Sequence, residues 1–156
     1  MTDTYLQRLK EEYEELENDP LTDIGCNVCL REEDDYLHWE GMMQGPDDSP
    51  YAGAFLYFTL DFTKEFPIKA PEFKFINKNM YHLNVRSDGH VCIEILNHWV
   101  SETKIREVIL GVFAILYEQN PDSSYYPDKV ELYKKDILTF NKNISDWVRQ
   151  YALVIK

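Results

Sequence analysis

The stretch AGAFLYFTLDF, residues 52–62, is the clearest strand pattern in the chain and decides the fold class. Apolar side chains occupy every second position: Ala54, Leu56, Phe58, Leu60 and Phe62. The positions between them hold Phe55, Tyr57 and Thr59. Because successive side chains of a β-strand point to opposite faces of the sheet, the stretch predicts a strand with these two sets of side chains on opposite faces.

Shorter strand-like segments lie on both sides of this stretch, at residues 27–31, 37–44 and 72–75. The acidic residues 32–35 and the Gly- and Pro-containing residues 45–50 are typical of turns. Consecutive strands joined by short links usually pair as neighbours in one sheet. The order of segments therefore predicts a four-stranded antiparallel meander.

Apolar residues at helical spacing indicate a helix before the strands and helices after them. The first helix has its stripe at Leu6, Leu9, Tyr13 and Leu16, and Asp19-Pro20 should end it. A second helix, expected between Thr103 and Asn120-Pro121, has its stripe at Ile105, Val108, Ile109, Val112, Phe113 and Leu116.

Two more helices are expected in the last thirty residues or so of the chain. Pro127 suits the first position of a short helix, and Asp136 can cap the last one. The last helix has its stripe at Ile137, Phe140, Ile144, Trp147, Val148 and Tyr151. An N-terminal helix, four strands, an irregular segment and three helices predict an α+β fold with helices packed against an antiparallel sheet.

Length, composition and charge narrow the class of protein. A chain of 156 residues with 44% apolar content can bury one core, so we expect a single domain over residues 1–156. The longest apolar run, residues 108–116, is too short to cross a bilayer. A net charge of −12 argues against binding to nucleic acid or to an anionic membrane surface.

Cysteine content predicts the compartment. The chain has three cysteines, an odd number, and residues 1–4 have neither the basic nor the apolar region of a secretory signal. We therefore expect free thiols in a reducing compartment, the cytosol or the nucleus.

Residues 76–102 show no clear periodicity, and a long irregular segment inside a domain is usually functional. Within it, Cys92 follows a Ser-Asp-Gly turn at residues 87–89, and the amide of Asn84 is near in sequence. A thiol nucleophile with a donor for the oxyanion is the arrangement that acyl transfer requires. The segment is thus the candidate active site.

The same segment resembles the active-site region of the ubiquitin-conjugating enzymes, whose signature is His-Pro-Asn, seven residues, then the catalytic Cys. His82-Leu83-Asn84 and Cys92 keep that spacing, with Leu83 in place of Pro. Five further motifs of the family follow the same order along nearly the whole chain: Asp19-Pro20, Trp39 to Gly53, Phe66-Pro67-Ile68-Lys69-Ala70-Pro71, Asn120-Pro121-Asp122, and Trp147 to Ala152.

The resemblance implies a role for each matched residue. Cys92 would accept ubiquitin as a thioester, while His82 would hold the loop. Asn84 would both hold the active-site flap and donate toward the oxyanion when a lysine attacks. Asp122 and Ser123 lie where many members have an acid that orients the lysine, and the sequence leaves the choice between them open.

The resemblance also implies partners: ubiquitin, its activating enzyme, RING-type or HECT-type ligases, and substrate lysines. It places a shared docking surface at Arg8, Glu11, Ile68, Ser101 and Glu102. Arg8 keeps the family's basic character, whereas Glu11 reverses a commonly basic position. Neither a cofactor nor a metal is expected, since the ATP is consumed upstream by the activating enzyme.

Three other interpretations remain. The chain could carry another ubiquitin-like protein by the same chemistry. It could be a non-catalytic binding module, although members of that class lack the Cys that is present here as Cys92. Finally, Cys26 and Cys29 form a CxxC that suits a redox pair or half of a zinc site, but no second pair exists and we expect ordinary strand and loop cysteines.

Overall fold

The computed structural model describes residues 4–153 of the chain. The helices are α1 (Thr4–Asn18), α2 (Glu94–Asn97), α3 (Ile105–Ala114), α4 (Pro127–Lys135) and α5 (Ile137–Tyr151). The strands are β1 (Asn27–Leu30), β2 (His38–Gln44), β3 (Phe55–Asp61) and β4 (Glu72–Phe75). Two single 3₁₀ turns lie at Thr22–Ile24 and Pro121–Ser123.

The four strands form one antiparallel sheet in chain order, β1-β2-β3-β4, so the predicted meander is confirmed. Trp39 in β2 lies opposite Leu30 in β1 and Leu60 in β3, and Leu60 in turn lies opposite Phe73 in β4. One face of the 52–62 stretch is buried, at 5% exposure or less: Ala54, Leu56, Phe58, Leu60 and Phe62. The α+β fold follows the sequence prediction in its element order as well.

Two boundaries differ from the sequence prediction by three residues or more, and each has a local reason. β3 begins at Phe55 and not at Ala52, because residues 51–53 form a turn in which Gly53 has a φ of +84°. α3 ends at Ala114, six residues before Asn120, and looser turns follow it. Those turns still bury Leu116, and they turn the carbonyl of Ile115 toward the ring of His82.

Two helical features were not expected from the sequence. α2 is a single turn inside the irregular segment, too short to show a period. Ile137, assigned to the stripe of α5, is 43% exposed because it is the first residue of that helix, whereas Phe140, Ile144, Trp147 and Val148 are buried. Asp136 caps α5 as predicted, since its carboxylate accepts from the backbone N–H of Thr139 at 3.2 Å.

The core is one continuous cluster that includes residues from α1, the sheet, α3 and α5. α1 is joined to the start of α3 by the buried carboxylate of Glu12, which accepts from the backbone N–H of Ile105 at 2.7 Å. The C-terminal end of α5 is joined to the sheet, because the N–H of Phe55 donates to the carbonyl of Ala152 at 2.7 Å. Among residues 4–153 there is no helix long and apolar enough to cross a membrane. That residues 1–156 form a single domain stays a prediction.

Candidate active site

Residues 77–92 leave the sheet after β4 and are anchored at their start by Asn77. Its buried side chain accepts from the N–H of Tyr57 at 2.8 Å and donates to the carbonyls of Phe55 and Tyr151. The indole of Trp147 donates to the carbonyl of Lys78 at 2.7 Å. The active-site segment therefore starts from a point fixed to both β3 and α5.

Cys92 lies directly across a tight turn from Asn84. The N–H of Cys92 donates to the carbonyl of Asn84 at 2.8 Å, and the N–H of Arg86 donates to the carbonyl of His90 at 2.8 Å. Gly89 makes the turn possible, because its φ is +94° and a Cβ there would lie 2.0 Å from the carbonyl oxygen of Phe75. Asn84 and Cys92, which are separated in sequence, are therefore joined by a direct backbone hydrogen bond.

His82 is fully buried and uses both ring nitrogens. Nε2 contacts the carbonyl of Ile115 at 2.7 Å, and Nδ1 accepts from the N–H of Asn84 at 2.9 Å. These partners require the neutral ring with its proton on Nε2. Burial lowers the pKa of His82 to about 4, although the carbonyl of Ile115 opposes the shift. The contacts agree with the predicted loop-holding role.

Leu83 stands where the motif described above has a proline, and its backbone N–H makes a hydrogen bond. It donates to Oε1 of Gln119 at 2.7 Å, and both residues are buried. Nε2 of Gln119 in turn donates to the hydroxyl of Tyr51 at 3.1 Å. The donor that a proline would lack is thus part of a hydrogen-bonded chain into the core. Sequence reasoning did not single out Gln119, which is 36 residues away from Leu83.

The side chain of Asn84 is fully buried and makes three hydrogen bonds. Nδ2 donates to the carbonyls of Asn120 at 2.8 Å and Ser123 at 3.2 Å, while Oδ1 accepts from the N–H of Asn120 at 2.8 Å. The amide therefore fastens the Cys92 turn to residues 120–123. This geometry supports the flap-holding role, and donation toward an oxyanion stays a prediction.

The thiol of Cys92 is partly exposed and meets two side chains that sequence reasoning missed. Nδ2 of Asn97, at the end of α2, donates to Sγ at 3.2 Å. Tyr125 lies near the same sulfur, and burial, followed by the charge of that sulfur, raises the pKa of Tyr125. No short-range pattern signals either residue: Asn97 depends on the one-turn helix, and Tyr125 is 33 positions from Cys92.

Charged side chains surround the turn that precedes Cys92. Arg86 binds the carboxylate of Asp88 through Nε at 2.9 Å and holds the pKa of that carboxyl well below its usual range. Nδ1 of His90 is 3.0 Å from Asp88, and its Nε2 is 3.8 Å from Glu72. This network is exposed, so it stabilises the turn only modestly.

Asp122 and Ser123 lie in the 3₁₀ turn that Asn84 fastens to the Cys92 segment. Asp122 is exposed, and its N–H donates to Oδ1 of Asn120 at 3.0 Å. Ser123 is half-buried, and its hydroxyl accepts from Nδ2 of Asn120 at 3.4 Å. The structure brings both residues to the loop beside the active-site segment and leaves the choice between them open.

Cys26 and Cys29 differ from Cys92 in their surroundings. Cys26 is buried, and burial raises its pKa to about 12, while Cys29 is exposed on β1. Neither forms a disulfide. Within residues 4–153 no group of His, Cys, Asp and Glu side chains is arranged to hold a metal ion.

Comparison with protein families identifies the chain. A family model described as ubiquitin-conjugating enzyme matches residues 8–148, which is most of the sequence. The chain belongs to the ubiquitin-conjugating enzyme family. The family's general activity is the transfer of ubiquitin or a related modifier, and its general partners are the modifier, an activating enzyme and ligases.

The surface predicted for partners is a groove on the ubiquitin-conjugating domain, with a volume of about 990 Å³. Arg8, Ile68, Ser101 and Glu102 line it, and Glu11 does not. Ile68 is 80% exposed, so an apolar side chain of this groove faces solvent. The groove thus includes four of the five predicted docking residues.

Arg8 and Trp99 fix the shape of this groove. Arg8 donates to the carbonyls of Ser101 at 2.9 Å and Thr103 at 3.0 Å, so its guanidinium is largely occupied inside the protein. The indole of Trp99 donates to the carbonyl of Pro67 at 2.8 Å. The loops that contain Ile68 and Glu102 are therefore fastened to the rest of the domain, and Trp99 joins the groove to the active-site segment.

The buried ring of His82 predicts a pH-dependent stability. The unfolded chain, with a His pKa near 6.5, binds a proton more readily than the folded state, so stability falls as pH drops through 6.5 and the loss is complete near the folded pKa of about 4. Between pH 7 and pH 5 this group should cost roughly 2 kcal/mol. Urea unfolding at the two pH values measures the loss.

His82→Gln is the matched variant, because its amide does not titrate. It should be less stable than the parent at pH 7 and should lose less stability on going to pH 5. The same pH dependence in both proteins would show that His82 is not the titrating group.

The Leu83–Gln119 pair predicts a non-additive double-mutant cycle. Gln119→Met leaves the buried N–H of Leu83 unpaired, which should cost about 1–3 kcal/mol. In a Leu83→Pro background that N–H is absent, so the same Gln119→Met change should cost less. Urea unfolding of the parent, both single variants and the double variant gives the coupling energy; strictly additive effects would contradict the proposed contact.

Proposed function

We propose that this chain accepts ubiquitin from the charged activating enzyme as a thioester on Cys92. It then passes the modifier to a substrate lysine or to a ligase cysteine. The observation that carries the proposal is the placement of the Cys92 thiol. It is partly exposed, its backbone is held by Asn84, and its sulfur accepts from the amide of Asn97. Cys26, by contrast, is buried and resists ionisation.

Each half-reaction exchanges one acyl bond for another. In loading, the Cys92 thiolate attacks the C-terminal carbonyl carbon of ubiquitin, a new C–S bond forms, and the thiolate of the activating enzyme leaves. In discharge to lysine, a neutral amine attacks the same carbon, a C–N bond forms, and the Cys92 thiolate leaves while the amine proton passes to solvent. Both steps develop negative charge on the carbonyl oxygen.

His82 and Asn84 act in this scheme by holding the segment that contains Cys92. Their buried contacts reach Ile115, Asn120 and Ser123, so the turn stays attached to the loops that follow α3. Acyl transfer is sensitive to small displacements of the nucleophile. Asp122 and Ser123, on the attached loop, are the candidates for orienting the incoming lysine.

The groove near Ile68 is the proposed docking surface for the activating enzyme and for RING-type ligases, while HECT-type ligases would receive the modifier on their own cysteine. Its exposed apolar residue suits the anchor position of a protein interface. A thioester on Cys92 requires a reduced thiol, which favours a reducing compartment such as the cytosol or the nucleus.

We expect Cys92 to be the residue that carries the modifier. Incubation with activating enzyme, ATP and ubiquitin should give a one-modifier shift on a non-reducing gel, and excess thiol should remove it. Cys92→Ser should give a thiol-resistant ester, because an alkoxide is a worse leaving group than a thiolate. Cys92→Ala should give no shift.

Two results would contradict this assignment. If Cys92→Ala were still charged through Cys26 or Cys29, Cys92 would not be the thioester residue. Cys29→Ala is the matched control, because that thiol is exposed. If the parent is charged with another ubiquitin-like protein and not with ubiquitin, the proposed modifier is wrong and the proposed residue, Cys92, stands.

Glu102 should weaken the response to RING-type ligases. It lines the groove beside Ile68, and a carboxylate that becomes buried without a partner at an interface is costly. Glu102→Ala should raise the ratio of ligase-assisted to unassisted discharge on the order of tenfold, the change that about 1.4 kcal/mol produces. Glu11→Lys should add less, because Glu11 lies outside the groove lining.

The measurement is discharge with and without a panel of RING-type ligases, on parent, single and double variants. Repeating it at high salt separates charge effects from apolar ones, since salt screens charges at the exposed rim. If every ligase of the panel stimulates discharge of the parent fully and Glu102→Ala discharges no faster, Glu11 and Glu102 do not limit the response to ligases.

A further inference from the structure

We infer that Asn97, and not Asn84, supplies the amide donor for the oxyanion during discharge of the thioester. This rests on the proposed function of Cys92. The observation behind it is that two asparagine amides lie near the thiol, and their states differ. The amide of Asn84 is buried and fully hydrogen-bonded, whereas the amide of Asn97 is exposed and already contacts Sγ of Cys92.

The amide of Asn84 has no free hydrogen to donate. Its two N–H groups point to the carbonyls of Asn120 and Ser123, and its oxygen accepts from Asn120. Turning one N–H toward a substrate would leave one of those carbonyls without its partner. Such a loss costs free energy in every turnover.

The amide of Asn97 has the opposite properties. Within residues 4–153 its only side-chain hydrogen bond is the one that Nδ2 donates to Sγ of Cys92 at 3.2 Å. Asn97 is exposed, so moving the donor gives up no hydrogen bond inside the protein other than this one to sulfur. A donor whose one hydrogen bond is to the reacting sulfur itself is the better candidate for the oxyanion.

The position of Asn97 is fixed by α2, which begins two residues after Cys92. The N–H of Asn97 donates to the carbonyl of Ile93 at 3.0 Å, which sets the last turn. Ile93 is buried, and the side chains of Ile93 and Ile95 lie against α3 beside Gly111. The donor therefore belongs to a packed helix and not to a free loop.

The chemical step needs only a short movement of this donor. In the thioester, Sγ is bonded to the acyl carbon, and the carbonyl oxygen is the next atom. When the amine attacks, the C=O π electrons move onto that oxygen, and Nδ2–H of Asn97 donates to it. The intermediate then collapses: the C=O bond re-forms, the C–S bond breaks, the Cys92 thiolate leaves and the amine proton passes to solvent.

The test is single-turnover discharge of loaded protein to free lysine at a series of lysine concentrations. Asn97→Leu removes the donor at similar size and without charge. It should lower the maximal discharge rate about 10²-fold, the usual cost of one oxyanion donor. The lysine concentration at half-maximal rate should not change, because the interaction forms only in the transition state. Asn97→Gln, which keeps an amide, should recover part of the rate.

The control is His98→Ala, the next residue along. His98 is exposed, and its ring pairs with Glu94 at 3.2 Å and not with Cys92. It should discharge at the parent rate. Thermal unfolding of all variants checks the fold; Asn97→Leu should melt with the parent, since the residue is exposed.

Each outcome decides the matter. A parent that forms no thioester overturns the proposed function and this inference together. A parent that loads, with Asn97→Leu discharging at the parent rate, overturns the inference alone and returns the donor role to Asn84. An equal loss of rate in His98→Ala would assign the effect to damage of α2 and also overturn it.

Discussion

The buried amide of Asn84 is the contact on which the geometry around Cys92 depends. Its three hydrogen bonds join the turn that contains the thiol to residues 120–123, and the ring of His82 makes a parallel link to Ile115. Within residues 4–153 no buried side-chain nitrogen or oxygen lacks a partner. Because an unpaired buried polar group is costly, these contacts stabilise the observed arrangement of a segment that has almost no regular secondary structure.

The replacement of proline by Leu83 shows how the same segment accommodates a change. A proline would restrict φ and have no N–H. Leu83 gives up that restriction but donates to the buried Gln119, whose own amide reaches Tyr51. The restriction of φ that a proline would provide is thus replaced by a hydrogen bond to a buried side chain. Whether a loop is rigid thus depends on its partners as well as on its own residues.

The sequence predicted the sheet and the main helices because their signals are local. Alternation in residues 52–62 and helical spacing in α1, α3 and α5 reflect which face each element buries. The end of α3 and the single turn α2 were missed, since tertiary contacts determine them. At the candidate site, Cys92, Asn84 and His82 were predicted from the motif, whereas the contacts of Gln119, Asn97 and Tyr125 required the folded chain.

Asn84 and Asn97 illustrate why a buried amide suits a structural role, whereas an exposed amide suits contact with the reacting atoms. A side chain whose every donor and acceptor is paired inside the protein can transmit rigidity, but it cannot engage a passing charge without breaking what it holds. A side chain at the surface, with its backbone fixed by a packed helix, can exchange a water or a thiol for an oxyanion at little cost. Asn84 has the first set of properties and Asn97 the second. Two amides of identical chemistry are therefore suited to different tasks, because that of Asn84 is bonded to buried backbone groups, whereas that of Asn97 is exposed and bonded to the thiol alone among the described residues.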